Sequence, residues 1–103
     1  MAKFHKIEND NEGLYIFHCP GCNYGHPVRF RGKEPVWQVF GVENDNPTVT
    51  PSILVNAHIT ERVSDRYGRC HSFIKNGKIQ FLADCHHELA GKTVELLDFD
   101  SFD

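Results

Sequence analysis

The chain has 103 residues, 40% of them hydrophobic and 24% charged, which is typical of one small folded domain. Its net charge of −3 at pH 7 provides no overall attraction to nucleic acid or to a membrane surface. No apolar run is as long as a membrane span, and Met1–His5 lacks the apolar core of a signal peptide. We therefore expect no membrane segment and a cytoplasmic location.

The first half of the chain predicts a series of short β-strands joined by polar turns. Residues Met1–Gly13 are polar and predict an N-terminal arm, after which a strand at Leu14–His18 delivers Cys19. Apolar and polar residues then alternate, as expected for strands with one buried face. These further strands are predicted at His26–Arg31, Val36–Phe40 and Val49–Ile59.

The longest alternation, Val49–Ile59, contains Pro51, which cannot donate to a ladder and therefore marks an edge strand or a bulge. The polar segment Glu61–Arg69 predicts a loop. A last strand is predicted at Thr93–Leu97, followed by an acidic tail, 98–103. The whole chain, 1–103, is thus expected to form a single all-β domain of six or seven strands.

The segment Cys70–Cys85 predicts a β-hairpin. Asn76-Gly77 separates two runs rich in apolar and β-branched residues, and this dipeptide suits a type I′ turn, which needs positive φ at both positions. In that register Lys75 faces Lys78, and Cys70 lies on the same face as Cys85, diagonal to it. The open end of the hairpin therefore brings two thiols together.

The other two cysteines form a Cys19-Pro20-Gly21-Cys22 knuckle, with Gly21 expected to supply the backbone angle of a tight turn. Two close pairs predict a zinc-ribbon-like site for Zn²⁺, held by Cys19, Cys22, Cys70 and Cys85. The alternatives are a shell in which His71 or His87 replaces one cysteine, and cysteines that bind no metal or form a disulfide. His71 lies on the strand face opposite to Cys70, so both residues cannot readily bind one ion.

Four further side chains are candidates for an open polar site beside the metal: His26, His71, Asp84 and His87. The alternative is that these groups only orient ligands or cap loops.

Several blocks of the sequence resemble a family of small bacteriophage and prophage proteins. The resemblance rests on Phe17–Cys22 with His26, on Pro47–Val55, on Cys70–Ile74 with Asn76-Gly77, and on Asp84–Val94. It covers roughly residues 14–97 and implies a phage-associated, metal-binding domain without implying a particular reaction. The resemblance also implies that the cytoplasm is that of a host cell, with association with a virion as the alternative. The name ammonia monooxygenase often given to such proteins is rejected, because that redox copper chemistry belongs to a membrane-embedded assembly.

These observations favour a zinc-stabilised phage accessory protein without catalytic activity, acting through a protein partner of the phage or the host. One alternative is a small zinc-dependent hydrolase that uses His71, His87 and Asp84. The other is a nucleic-acid-binding zinc ribbon, against which the acidic net charge argues.

Overall fold

The structure is a computed structural model that describes residues 2–59 and 68–99. Within these ranges the chain forms eight β-strands and one short 3₁₀ turn, Val42–Asn44. The strands are β1 (Phe4–Glu8), β2 (Gly13–Cys19), β3 (Tyr24–Arg31), β4 (Gln38–Phe40), β5 (Thr48–Val55), β6 (Cys70–Lys75), β7 (Lys78–Phe81) and β8 (Thr93–Glu95). The all-β prediction is confirmed. In the described part of the chain, no helix is long and apolar enough to cross a membrane.

The strands form two antiparallel sheets that follow the chain order. One sheet has the order β1-β2-β3 and the other has the order β4-β5-β6-β7-β8. Side chains from both sheets meet in one buried cluster, which includes Phe17 and Val28 from the first sheet and Ile53, Ile74 and Phe81 from the second. The four cysteines belong to the same cluster.

The first strand was not predicted, because residues Met1–Gly13 were interpreted as a polar arm. In the structure Phe4–Glu8 pairs with β2, and Phe4 is the only buried residue of the five. The Phe4 ring stacks on Phe17 with their centroids 5.6 Å apart. A single apolar anchor on an otherwise exposed edge strand leaves no alternation to read from the sequence.

The predicted hairpin is confirmed with its register. Lys75 pairs with Lys78, Ile74 with Ile79 and Phe73 with Gln80. Asn76 and Gly77 have φ values of 51° and 79°, as a type I′ turn requires. The ladder ends at Phe81, so the segment that carries Cys85 is not part of the strand.

Strand β5 carries the bulge that Pro51 indicated. Val49 pairs with Ile74 and Ile53 pairs with Ser72, so three residues of β5, 50–52, lie opposite Phe73 alone. Strand β5 thus has two more residues than β6 in this stretch, and bulges of this kind re-aim side chains. Since β5 lies between β4 and β6, it is not an edge strand.

Two predicted features lie mostly outside the described residues. Most of the loop at Glu61–Arg69 belongs to the range 60–67, and most of the acidic tail belongs to the range 100–103.

Candidate active site and metal centre

A buried cluster of sulfur and nitrogen atoms lies where the two sheets meet. Cys19 ends β2 and Cys22 follows it in the knuckle before β3, whereas Cys70 begins β6 and His87 follows β7. Each of these four residues exposes at most 1% of its surface. The first sheet therefore supplies two members of the cluster and the second sheet supplies the other two.

The four side chains are close enough to share one ion. One ligand atom from each of Cys19, Cys22, Cys70 and His87 lies within 4.8 Å of the other three. The Cys19 and Cys70 sulfurs are 3.9 Å apart, and the Cys70 sulfur lies 3.5 Å from His87 Nε2. A tetrahedral zinc shell has S···S edges of about 3.8 Å and S···N edges of about 3.5 Å, given its usual bond lengths. The donor set therefore fits such an ion.

His87 reaches the cluster because Gly21 leaves room for its ring. A Cβ atom at Gly21 would lie within 2.3 to 2.6 Å of three ring atoms of His87. The edge of the same ring packs against Phe81, with centroids 4.4 Å apart. Gly21 does not have a positive φ, so its role is close approach and not the turn angle expected from the sequence. If His87 Nε2 binds a metal, the ring proton has to be on Nδ1. Nδ1 can then no longer accept the hydrogen bond from Leu89 N–H, so this 3.2 Å contact has to open.

The thiols of the cluster share their protons unequally. Hydrogen bonds from Cys22 and then Cys70 hold the pKa of the Cys19 thiol well below its ordinary value. The pKa of Cys22 is raised to about 12, first because of its hydrogen bond to Cys19. Among Cys19, Cys22 and Cys70 a second thiolate is thus disfavoured while no cation is present, and a bound cation would remove that penalty. Outside these three, the hydrogen bond from Cys70 lowers the pKa of the neighbouring Cys85 to about 5.

His26 lies against this cluster and supports an anionic centre there. It is 1% exposed, and neither ring nitrogen has a hydrogen-bond partner of good geometry among the described residues. The polar group that it approaches is the Cys19 thiol, whose pKa it helps to lower. An imidazole N–H buried beside a thiolate is typical of the groups that surround a metal ligand.

Cys85, the fourth ligand predicted from the sequence, makes different contacts. Its sulfur accepts a hydrogen bond from the backbone N–H of His71 at 3.2 Å and, as a thiol, donates to the His71 carbonyl at 3.1 Å. It also lies within hydrogen-bonding range of Cys70. The mutually close atoms thus come from three of the predicted cysteines and from His87, one of the predicted alternatives.

A second constellation lies on the opposite face of β6. His71 follows Cys70 and therefore points away from the metal cluster, as the alternation of a strand requires. His71 Nε2 lies 3.1 Å from Ser52 Oγ, and His71 Nδ1 lies 3.3 Å from Asp84 Oδ2. With the Nδ1–H tautomer, Ser52 O–H donates to Nε2 and Nδ1–H donates to the carboxylate. This is the order of contacts in a Ser–His–Asp triad.

Neighbouring groups contact Ser52 and Asp84, the two outer members of this constellation. Ser52 sits in the bulge of β5, and its carbonyl accepts a hydrogen bond from the indole N–H of Trp37 at 3.1 Å. Arg69 lies 3.7 Å from Asp84 Oδ2. The His71 and Asp84 side chains are 25% and 41% exposed, so a ligand can reach the site from solvent.

The sequence singled out two of these three residues. His71 and Asp84 were predicted to lie in one polar site, and they do, whereas His26 and His87 lie with the metal cluster. Ser52 was missed. Its outward parity and its place beside Pro51 were the available signals, but its distance from His71 depends on the pairing of β5 with β6.

The fold and the site together define an all-β protein with a Ser–His–Asp constellation on one sheet face and a Cys₃His cluster beneath it. The model of the family described as "Bacterial ubiquitination-like system serine protease (BubE)" matches residues 2–82, and the chain belongs to this family. The match includes Ser52 and His71 and ends two residues before Asp84. No curated protein and no solved structure matches the chain.

This membership corrects the function expected from the sequence. A non-catalytic accessory protein is wrong, because the family is described as a serine protease. The alternative of a zinc-dependent hydrolase had grouped His71 and Asp84 with His87, but the structure gives these two a serine as their neighbour instead.

Proposed function

We propose that the chain is a serine protease in which Ser52 is the nucleophile, His71 the general base and Asp84 the group that orients His71. The observation that carries the proposal is the continuous chain of contacts from Ser52 Oγ through His71 to Asp84, 3.1 and 3.3 Å long. The family's description supports the same reaction class. Triads are recognised by this geometry and not by their order along the chain, which here is Ser, His, Asp.

The first half of the reaction forms an acyl-enzyme. His71 Nε2 takes the proton of Ser52 as Oγ forms a bond to the carbonyl carbon of the substrate. His71 then passes that proton to the leaving nitrogen, and the C–N bond breaks. Asp84 keeps the imidazole in the tautomer that accepts at Nε2 and stabilises the imidazolium while it exists.

The second half releases the acyl group with water. His71 removes a proton from the water as its oxygen attacks the ester carbon, and returns that proton to Ser52 Oγ when the ester bond breaks. Because both steps use one imidazole, replacement of His71 affects each of them.

We propose that the Cys₃His cluster holds Zn²⁺ through Cys19, Cys22, Cys70 and His87, with Cys85 as the alternative fourth ligand. Thiolate-rich, tetrahedral donor sets suit zinc, and four protein ligands leave no open position for water. The ion would supply a cross-link between the two sheets and take no part in the proton transfers.

The family's description also suggests a setting. We propose that the substrate is a protein of a bacterial ubiquitination-like system, which would be the protein partner expected from the sequence. A phage origin of the gene and a cytoplasmic location remain parts of this proposal.

A fluorophosphonate probe tests the proposed nucleophile without knowledge of the substrate. We expect the probe to label wild-type protein, since an activated serine oxygen displaces fluoride from phosphorus. Ser52→Ala should abolish labelling and His71→Ala should reduce it by at least about 100-fold, the lower end of the range of general-base effects.

The matched control is Ser72→Ala. Ser72 is on the neighbouring strand but is 1% exposed and faces the core, so its loss should leave the labelling rate unchanged. Labelling that persists in Ser52→Ala, in protein with a wild-type circular dichroism spectrum, would contradict the proposal.

A further inference from the structure

The sheet face that carries the triad continues beyond it as an open surface. Leu54 is the cross-strand partner of His71, and Phe73 lies two residues from His71 on the same face of β6. The two side chains are 46% and 42% exposed although they are large and apolar. Apolar side chains therefore flank the proposed base on its own strand and on the next.

The bulge of β5 opens a groove beside these residues. A cavity of about 350 Å³ is lined by Thr48 and Thr50 of β5 and by Phe73 and Lys75 of β6, among others. A second cavity of about 260 Å³ also has Lys75 in its lining and extends to Lys78. Both linings contain Lys75 and Gln80, so the cavities adjoin, and we call the two together the groove. Its lining residues follow β6 from Phe73 towards the hairpin turn, away from the triad.

The far end of this groove is basic in an otherwise acidic chain. The linings of the two cavities include Lys75 and Lys78 and no carboxylate. Neither lysine forms an ion pair within the described part of the chain. Glu95 is the cross-strand partner of Lys78 and can offset its charge. The positive charge of Lys75 is therefore the less compensated of the two.

We propose that this groove binds an extended segment of the protein substrate with an apolar residue two positions from the scissile bond and an acidic residue four positions from it, on the same side. An extended chain rises about 3.3 Å per residue. If it lies over the open face of β6 from His71, it reaches Phe73 after about 7 Å and Lys75 after about 13 Å. The inference rests on the proposed serine protease and adds the chemistry of its substrate.

A peptide library of mixed sequence tests the inference. Cleavage sites are identified by mass spectrometry after digestion with the wild type, and we expect apolar residues at the second position and Asp or Glu at the fourth. In Lys75→Glu the preference at the fourth position should reverse to Lys or Arg. For two peptides that differ only in an acidic or a basic residue at the fourth position, the ratio of their kcat/KM values should change by about fivefold. This is the scale of one exposed ion pair.

Lys33→Glu is the matched control, since Lys33 is exposed and follows β3 of the other sheet. It should retain the wild-type preference and react with the fluorophosphonate at the wild-type rate, and circular dichroism should show that Lys75→Glu is folded. Cleavage without these preferences, or a preference unchanged in Lys75→Glu, would overturn the inference and leave the proposed function standing.

The remaining outcomes also separate the two proposals. If Ser52 is labelled but no peptide is cleaved, a peptide segment is not what the groove binds, and the inference fails alone. If Ser52 is not labelled, the proposed function and the inference fail together. A dimer in sedimentation that Phe73→Asp disrupts would assign this face to a second copy of the chain and also overturn the inference.

Discussion

At the scale of single residues, Asp84 differs from the acidic member of a buried triad. Its side chain is 41% exposed and it contacts both His71 and Arg69. Exposed pairs of this kind contribute little energy, because water screens the charges and can replace either partner. In the proposed mechanism, the main contribution of Asp84 is therefore the orientation of the His71 ring.

This exposure leads to a prediction for Asp84→Asn. In a buried triad the same exchange costs about 10⁴-fold in kcat, because the wrong tautomer of the base is trapped. Here water can satisfy His71 Nδ1–H, so we expect the fluorophosphonate reaction to slow only by about 10- to 100-fold. The rate constant of labelling measures this. A loss as large as that of Ser52→Ala would show that Asp84 is sequestered when the site operates.

At the scale of the elements, two cysteines connect the metal cluster to the triad. Cys70 directly precedes His71, and Cys85 directly follows Asp84. The Cys85 sulfur bonds the backbone N and O of His71 at 3.2 and 3.1 Å, which fixes the base relative to the segment that carries Asp84. The position of the triad therefore depends on Cys70, a member of the candidate metal cluster, and on Cys85, which lies beside that cluster.

The fourth ligand can be assigned with Cys85→Ala and His87→Ala. We expect His87→Ala to lose most of the bound metal, since Nε2 is one of the four mutually close donor atoms. Cys85→Ala should retain about one ion per chain but label about tenfold more slowly, because the contacts to His71 are lost. Metal analysis and labelling rates measure these effects. Metal lost in Cys85→Ala and kept in His87→Ala would restore the four-cysteine shell.

Sequence reasoning succeeded where the determining interactions are local. Asn76-Gly77 fixes its own turn and so the register of β6 against β7. Pro51 indicated a bulge for the local reason that it lacks a backbone donor. Ser52 could not be placed beside His71, because that contact depends on pairing across 19 residues and on how many residues the bulge contains.

The same distinction explains which residues of the candidate metal cluster were predicted. Three cysteines were predicted from spacing alone, and the structure brings them together. Whether His87 or Cys85 joins these three cysteines depends on the path of the chain after β7. There the chain no longer follows the direction of the strand. The space over Gly21 that admits His87 is a tertiary contact and has no signature in the sequence.

At the scale of the whole molecule, the cluster joins the two sheets at one end. Cys19 and Cys22 come from the first sheet, and Cys70 and His87 from the second. A structural metal can supply a large part of the stability of a small domain. Occupancy of the cluster is therefore expected to control both the fold and the reactivity of Ser52.

Removal of the metal tests this dependence. A strong chelator should lower the melting temperature by more than about 10 °C, since a loss of about 2 kcal/mol already has that effect in a domain of this size. Fluorophosphonate labelling should fall in parallel, and added Zn²⁺ should restore both. Unchanged melting and labelling in protein shown to be metal-free would mean that the cluster is not a stabilising metal site.

The most direct test of the proposed nucleophile is the position of the covalent adduct. Wild-type protein is treated with the fluorophosphonate, digested, and analysed by tandem mass spectrometry. The sequence contains four serines, at 52, 64, 72 and 101. The Ser52–His71–Asp84 geometry predicts one adduct per chain, on Ser52 Oγ. An adduct on another serine, or none in metal-loaded and folded protein, would contradict it.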